Sequence, residues 1–414
     1  MCRRWQVMED WTQDRYARHH GGVAEWARCW TRRGARRRAD RLNRAFLVAT
    51  FPRQPHGRFW VRRALLLVSL AAILMAVAPA HAAAPKRLTP TRKAAVTASL
   101  TGTAAVADAP WNALMGAGDI SAALTDTNTR DFATSEIMRL ASPGGIFADG
   151  DTQYPSGDLA HFQSPDGYSG SWGRLQLKGI TCAVVGNHEY RDAPPGPAGF
   201  LAYFNPNCPN HPDVEYATKV VNGVTVKIPT VYAYRCAPGS GWWCYVLDSQ
   251  CAMEGTTEPG EDCSRYSPQL NFLRRHMAAH VTSRRIVFYH APRWGNGAPF
   301  GDLAPVQWLY KVAAYHGRAC LIINAHNHSY ERFTSMLENG AIDTTYTYPR
   351  SFTVGTGGAA QIAFSKPIRV GTRVRFNDYG VLRITLGAGS WSSEFDSISG
   401  QVRDKTGTNC GGAG

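Results

Sequence analysis

Lysine is missing from residues 1–63, which carry sixteen arginines against five acids, a net of +11. The whole chain is +14, so residues 64–414 hold only +3 and the basic balance belongs to the front end. A near-neutral remainder removes the main support for a nucleic-acid footprint on the folded part, and no specific nucleic-acid partner is expected. Long apolar runs are lacking too: the fifteen residues Ala64–Ala78 fall short of the roughly 20 that a membrane-spanning helix needs. No internal repeat recurs, which speaks against a solenoid or propeller, and no low-complexity tract occurs apart from the Arg-rich leader.

What is present begins with Arg62-Arg63, the apolar run, and then Pro79-Ala80-His81-Ala82-Ala83-Ala84. A charged flank, a short apolar segment and small residues predict a secretory signal cleaved near Ala82, hence a secreted or cell-surface protein. Sixty residues ahead of such a signal point to a start codon placed too early. The competing reading is an uncleaved anchor with the Arg-rich segment held inside, the one case in which stable membrane association is expected. The chain then divides into an Arg-rich leader (1–61), a signal peptide or anchor (62–84), an Ala/Thr/Pro/Lys-rich linker (85–110), one large domain (111–398) and a C-terminal tail (399–414). The sequence leaves the oligomeric state open.

Cysteine usage agrees with export. Beyond the leader stand Cys182, Cys208, Cys236, Cys244, Cys251, Cys263, Cys320 and Cys410, an even set that an oxidising compartment would crosslink. Two local pairs are expected: Cys236 with Cys244 across a turn at Pro238-Gly239-Ser240-Gly241, and Cys251 with Cys263 around a polar acidic loop. Cys182 and Cys320 lie inside apolar runs, where a reduced core cysteine is the expectation.

Short apolar runs recur through the domain at Ala113–Gly118, Gly145–Ala148, Gly179–Val185, Trp243–Leu247, Arg285–Tyr289 and Ala319–Ile323, each ending in polar or Gly-containing punctuation. Helical patterns intervene. Thr129–Leu140 places Phe132, Ile137 and Leu140 at helix-like spacing, and Ser267–His280 opens on Ser267-Pro268 with Leu270, Leu273 and Met277 three to four apart. This alternation predicts α/β layers. Ser351–Val354 and Val381–Leu386, with Gly-rich connections, read as antiparallel strands.

Five of these runs end in residues suited to hard or borderline cations. Asp119 in Gly118-Asp119-Ile120-Ser121 is by itself no more than a turn or cap. Gly150-Asp151-Thr152-Gln153-Tyr154 spaces a carboxylate and a phenol three apart, fitting either one metal or an Asx-turn beside a packed Tyr. Gly186-Asn187-His188-Glu189 is more specific, because Asn suits a strand end poorly unless its amide is used, and His188 adds an acid/base group. His290 alone reads as a satisfied strand-end histidine. His326 and His328, one residue apart after an apolar run, point the same way on extended backbone, which lets both reach a metal pair. Five independent coincidences are less plausible than one shared site, since open α/β sheets gather ligands at the carboxyl ends of their strands.

In these blocks the chain resembles the calcineurin-like metallophosphoesterases, and within them the bacterial secreted relatives of the purple acid phosphatases. The match runs from about Trp111 to about Phe395 and includes Tyr330-Glu331-Arg332, Val354-Gly355-Thr356-Gly357-Gly358 and Tyr379-Gly380-Val381-Leu382. The resemblance implies an α/β (α+β, four-layer) fold, a central β-sandwich flanked by helices with a dinuclear site at strand ends. It implies Asp119, Tyr154 and His328 on a first metal, Asn187, His290 and His326 on a second, and Asp151 between them. His188 is then the non-ligand partner that assists the leaving group while a hydroxide shared by the two cations attacks phosphorus.

Members with a tyrosine ligand tend to hold Fe(III) at the first site; others carry a histidine two residues after the first Asp, where this chain has Ser121. The resemblance therefore implies two metal ions, Fe(III) at the Tyr154 site and Zn, Fe or Mn at the second. Ser121 and Ala325 stand where glycine is usual, and modest backbone adjustment is expected. Arg293, on the loop after His290, is a candidate contact for substrate phosphate, against the plainer reading of a solvated surface arginine. The implied function is an exported, dinuclear metal-dependent phosphatase of the acid-phosphatase kind that hydrolyses phosphomonoesters of small molecules. The alternatives are a phosphodiesterase or nucleotidase of the same superfamily, or a non-catalytic secreted metal-containing module.

Overall fold

A computed structural model describes residues 90–410, apart from 102–108, 122–128, 192–195, 206–207, 210, 212, 238–239, 253–260, 299, 317 and 366. The leader and the apolar signal segment lie outside the described residues, as do parts of the loops 192–199 and 252–263.

Three parallel strands, β1 (Ala113–Ala117), β2 (Gly145–Asp149) and β3 (Thr181–Val184), form one half of a six-stranded sheet. A second sheet opens with the hairpin β4 (Glu215–Val221) and β5 (Val224–Arg235) and continues through β6 (Trp242–Val246), β7 (Arg284–Phe288) and β8 (Leu321–Asn324). To these are added β9 (Tyr330–Phe333), β10 (Arg350–Val354) and β11 (Thr372–Phe376), giving the order β11-β9-β10-β8-β7-β6-β5-β4. The chain then returns to the first sheet with β12 (Gly380–Leu386), β13 (Ser390–Ser397) and β14 (Val402–Asn409), in the order β14-β13-β12-β1-β2-β3. The expected sandwich of two sheets flanked by helices is what the chain forms.

Alternation along the central strands explains the layers. In β6 and the residue after it, Trp242, Cys244 and Val246 join one buried cluster while Trp243, Tyr245 and Leu247 join another. The first cluster takes side chains from both sheets, including Phe147, Phe288, Ile323 and Val381. The second lies against Leu270, Leu273 and Met277 of the helix Pro268–Ala279, whose N-cap Ser267 accepts from Leu270 N and whose first position is Pro268. A strand with both faces covered needs apolar residues on both, which is why these runs read as continuous. Each such Leu contributes on the order of 1.5–3 kcal/mol by leaving water.

Four expectations need correction. The segment 85–110 is more than a linker: Pro90–Leu100 is helical, Leu100 is buried, and Thr97 Oγ1 donates to Glu136 of the helix Arg130–Ala141. The segment 399–414 is not a bare tail, because its residues Val402–Asn409 pair antiparallel with β13 as the sheet edge. Cys182 and Cys320 are not reduced; they are bonded to Cys208 and Cys410, alongside the expected Cys236–Cys244 and Cys251–Cys263. β10 is antiparallel only to β9 and runs parallel to β8. Apolar runs reveal burial but carry no record of a distant thiol or of strand direction.

Among the described residues, no helix is long and apolar enough to cross a membrane.

Candidate metal centre

The loops that follow β1, β2 and β3 in one sheet and β7 and β8 in the other meet at the carboxyl ends of these strands. Asp119 (φ 55°), Asp151 (φ 47°) and His326 (φ 64°) all adopt left-handed backbone there. Such a conformation costs a non-glycine residue on the order of 1–3 kcal/mol, and its recurrence at three donor positions shows side chains aimed by the backbone at one point. Two glycines permit the approach. A Cβ at Gly186 would lie 2.4 Å from Asp151 Oδ1, and one at Gly355 would lie 2.5 Å from Asp119 Oδ2.

Contacts across the two sheets join the donors. Tyr154 Oη lies 2.8 Å from Asp119 Oδ1, 3.1 Å from Asp151 Oδ2 and 3.0 Å from His328 Nε2. His328 Nε2 is 3.3 Å from Asp119 Oδ1, and His290 Nε2 is 3.3 Å from Asp151 Oδ2. The inward amide atom of Asn187 lies 3.1 Å from His326 Nδ1 and 3.3 Å from both His290 Nε2 and Asp151 Oδ2. His290 and His328 each donate Nδ1–H to a backbone carbonyl, of Asp149 at 2.8 Å and Ala360 at 2.6 Å, which leaves both Nε2 atoms facing inward. All seven residues expected to be ligands are thus brought together, as is His188.

His188 is held differently. Its Nδ1–H donates to Pro155 O at 2.7 Å, its ring packs 4.1 Å from that of Tyr154, and its Nε2 stands 3.8 Å from Asp151 Oδ2. Arg191 Nη1 also lies 3.2 Å from Nδ1, but the shorter carbonyl contact fixes the proton there and leaves Nε2 as the titrating atom.

Electrostatics follow from packing charge into a buried pocket. Burial raises Asp119 and Asp151, yet His328 and His290 outweigh it and hold both carboxyls below the usual range. Burial lowers His290 and His328, and the same carboxylates push them up instead, to about 10 and about 9. His326 is driven down to about 3 by burial and by His290. Burial and the two aspartates lift the Tyr154 phenol well above its ordinary value.

Several contributors escaped the sequence reading. Glu189 is fully buried and accepts from Gly186 N, Asp151 N, Thr152 N and Thr152 Oγ1 at 2.7–3.0 Å, tying the β2 and β3 loops together. Its position straight after His188 was the available sign. Glu331 does the same for the loop after β7, accepting from Asn296 N and Nδ2. Phe300, more than a third exposed, places its ring 4.2 Å from that of His326. Ser121 turns away from the donors toward Asp131 and Ser171, and Ala325 packs its methyl against Gly118. Arg293 lies outside the cluster, over the Trp294 ring at 4.0 Å; the exposed guanidinium beside it is Arg191, whose Nη2 is 3.2 Å from the Asn187 amide.

The donor set fits a pair of cations. It offers carboxylate, phenol, amide and imidazole groups, the mixture that borderline divalent and ferric ions accept. Asp119 Oδ2 is buried without a hydrogen-bond partner. With its oxygen turned inward, Asn187 adds one more lone pair to a convergent set of acceptors, an arrangement that a cation satisfies.

No family model and no curated protein sequence matches the chain. Among solved structures, a purple acid phosphatase from yellow lupin (Lupinus luteus) seeds matches with a TM-score of 0.50 at 16% identity, covering 72% of this chain and 53% of that one. This chain thus spans about half the length of that protein. GAP50 of Plasmodium, described as the anchor in the inner membrane complex, matches at 13% identity with a TM-score of 0.48 over 72% of this chain and 88% of its own. A dimetal phosphatase from Danio rerio matches at 13% identity with a TM-score of 0.44 over 73% of this chain and 99% of its own. Two mixed sheets packed face to face, with helices outside and loops meeting at the strand ends, give this chain the metallophosphoesterase fold.

Proposed function

We propose that the chain is an exported, dinuclear metal-dependent phosphoesterase that hydrolyses phosphomonoesters of small molecules. The observation that carries this reading is the convergence of seven oxygen and nitrogen donors, from five strand ends in two sheets, beside a histidine that no metal needs. Asp119, Tyr154 and His328 would hold one cation and Asn187, His290 and His326 the other, with Asp151 between. The contacts of Tyr154 with Asp119 and His328, and of Asn187 with His326, support that division. When bound, two such cations lower the pKa of a shared water, orient the phosphoryl group and neutralise its charge.

The chain's own residues supply the rest. His188 Nε2, with its ring fixed by Pro155 O, is the atom that holds a proton for the leaving oxygen. Arg191 adds positive charge at the exposed side of the same loop and replaces Arg293 as the phosphate contact. Tyr154 favours Fe(III) in the first site, with Zn, Fe or Mn in the second, and the fold likeness to a purple acid phosphatase supports that choice.

Elemental analysis combined with a visible spectrum and a phosphomonoester assay over pH, with iron, zinc or manganese supplied, tests the proposal. Turnover together with a phenolate-to-iron absorption band that Tyr154→Phe abolishes is the expected result. A fully loaded protein without turnover would overturn the enzymatic reading, and a colourless, iron-free active enzyme would overturn the iron assignment.

A further inference from the structure

A second group of cation donors stands at the β4 edge of the eight-stranded sheet. Glu215 opens β4, His276 lies in the last turn of the helix Pro268–Ala279, and His280 is the residue that ends that helix. Trp243, against which both histidine rings pack, pairs with Arg285 near the start of β7, whereas His290 follows the end of that strand. Glu215 is level with Ala233 of β5, Tyr245 of β6 and Val287 of β7, so the grouping is set apart from the centre described above sideways, at the edge strand β4, three strands across from β7. One ligand atom from each of Glu215, His276 and His280 lies within 4.8 Å of the others.

His276 shows the features of a positioned ligand. It is 5% exposed, and its Nδ1 lies 3.1 Å from the Tyr245 hydroxyl. With Nδ1–H donated to the Tyr245 oxygen, Nε2 is left facing Glu215 and His280, and an oxygen acceptor on the other ring nitrogen is the kind of support that orients metal-binding histidines. That Nε2 is buried without a hydrogen-bond partner, its closest acceptor being Glu215 Oε1 at 3.4 Å. The His276 and His280 rings are 4.5 Å apart, which brings two imidazoles to one side of the helix end.

We propose that Glu215, His276 and His280 bind a borderline divalent cation, zinc being the natural occupant, as a structural clip between the edge hairpin and the helix. Two imidazoles and a carboxylate are the donors such an ion prefers, and water completes the shell on the exposed side. Tetrahedral bonds of about 2.0–2.2 Å place donors roughly 3.4 Å apart, so the group must close by about an ångström. The Glu215 side chain, 56% exposed, has the freedom to do so, and His280 sits where the helix ends. By contrast, Cys182, Cys208 and His211 also lie close together but offer no such site, because the two sulfurs are bonded to each other.

The test is a zinc-binding isotherm on the full exported chain, by equilibrium dialysis against buffered zinc with elemental analysis. The parent is compared with Glu215→Gln and His280→Ala, two positions that can change without opening the core. The expected result is that each variant loses one equivalent at zinc concentrations that saturate the parent, or binds it at least tenfold more weakly. Phosphatase turnover should be unchanged. Cobalt substitution gives a second reading: the parent should show a tetrahedral absorption contribution that both variants lack. Identical isotherms and identical cobalt spectra in all three proteins would overturn the clip. Because the comparison counts ions and not turnover, it stands or falls separately from the phosphoesterase proposal.

Discussion

In the proposed reaction, His188 is the residue at which binding and catalysis part company. Every other polar side chain of the centre has a reason to be there if metals merely bind, whereas His188 directs Nε2 into the pocket without belonging to the donor set. His188→Asn is expected to cut kcat by about 10²–10⁴ while metal content stays the same, measured by turnover and elemental analysis on one preparation. A second expectation concerns protons. In the metal-free chain His290 and His328 are held protonated up to about 10 and about 9, and the Tyr154 phenol keeps its proton still higher. Cations must displace these protons, so loading at neutral pH should release about three per site pair and affinity should rise with pH. Calorimetry in buffers of different ionisation enthalpy measures that number; no release would contradict the donor assignment. At this scale the sequence was legible where residue type and strand end coincided, as at Asn187, whereas the extended backbone expected at His326 and His328 is instead a bend with His326 left-handed at φ 64°. The sequence was silent on Glu189, two of whose backbone partners, Asp151 N and Thr152 N, lie 38 and 37 residues earlier, and on Arg191, whose usefulness depends on how the 3-10 turn His188–Arg191 folds back.

Helices and strands were legible where periodicity was strong, and Arg130–Ala141 and Pro268–Ala279 match their sequence patterns to within a residue or so at each end. The helix Pro90–Leu100 was missed because its amphipathic pattern is faint and its anchors, the buried Leu100 and the hydrogen bond from Thr97 to Glu136, depend on tertiary neighbours. Glu136 accepts from Thr97 Oγ1 at 2.7 Å and from Arg139 at 2.9–3.1 Å, and also pairs with Arg174. Burial would raise its pKa, but these partners hold it down to about 2. The carboxylate therefore adds stability above its ordinary value of 4.5, and that contribution fades as pH falls toward about 2. Glu136→Gln should cost about 3 kcal/mol at neutral pH, with parent and variant converging in acid, as followed by denaturant unfolding. The hairpin β4–β5 was also readable and overlooked: Asn222-Gly223, at φ 51° and 79°, is the left-handed pair that a two-residue turn requires.

For the whole molecule, the charge lies apart from the candidate site in the sequence. Residues 1–63 hold +11 of the +14, and every assigned site residue lies beyond them. A chain beginning at Ala83 is expected to keep the turnover and melting temperature of the full protein while losing most of its retention on a cation exchanger. A lower melting temperature would show that the leader is part of the fold. The Cys320–Cys410 bond, closing a span of 90 residues, should contribute about 3 kcal/mol, so Cys320→Ser is expected to melt several degrees lower. Its larger consequence is mechanical. Cys320 enters β8 of one sheet and Cys410 leaves β14 of the other, so the bond rivets the two slabs of the sandwich together at the end remote from the metal centre. The donors of that centre come from both slabs, Asp119, Asp151, Tyr154 and Asn187 from one and His290, His326 and His328 from the other. Sliding one slab past the other would change every cross-sheet distance at once. The rivet resists that shear, so a bond that touches none of the donors helps to hold the gauge of the proposed two-ion site.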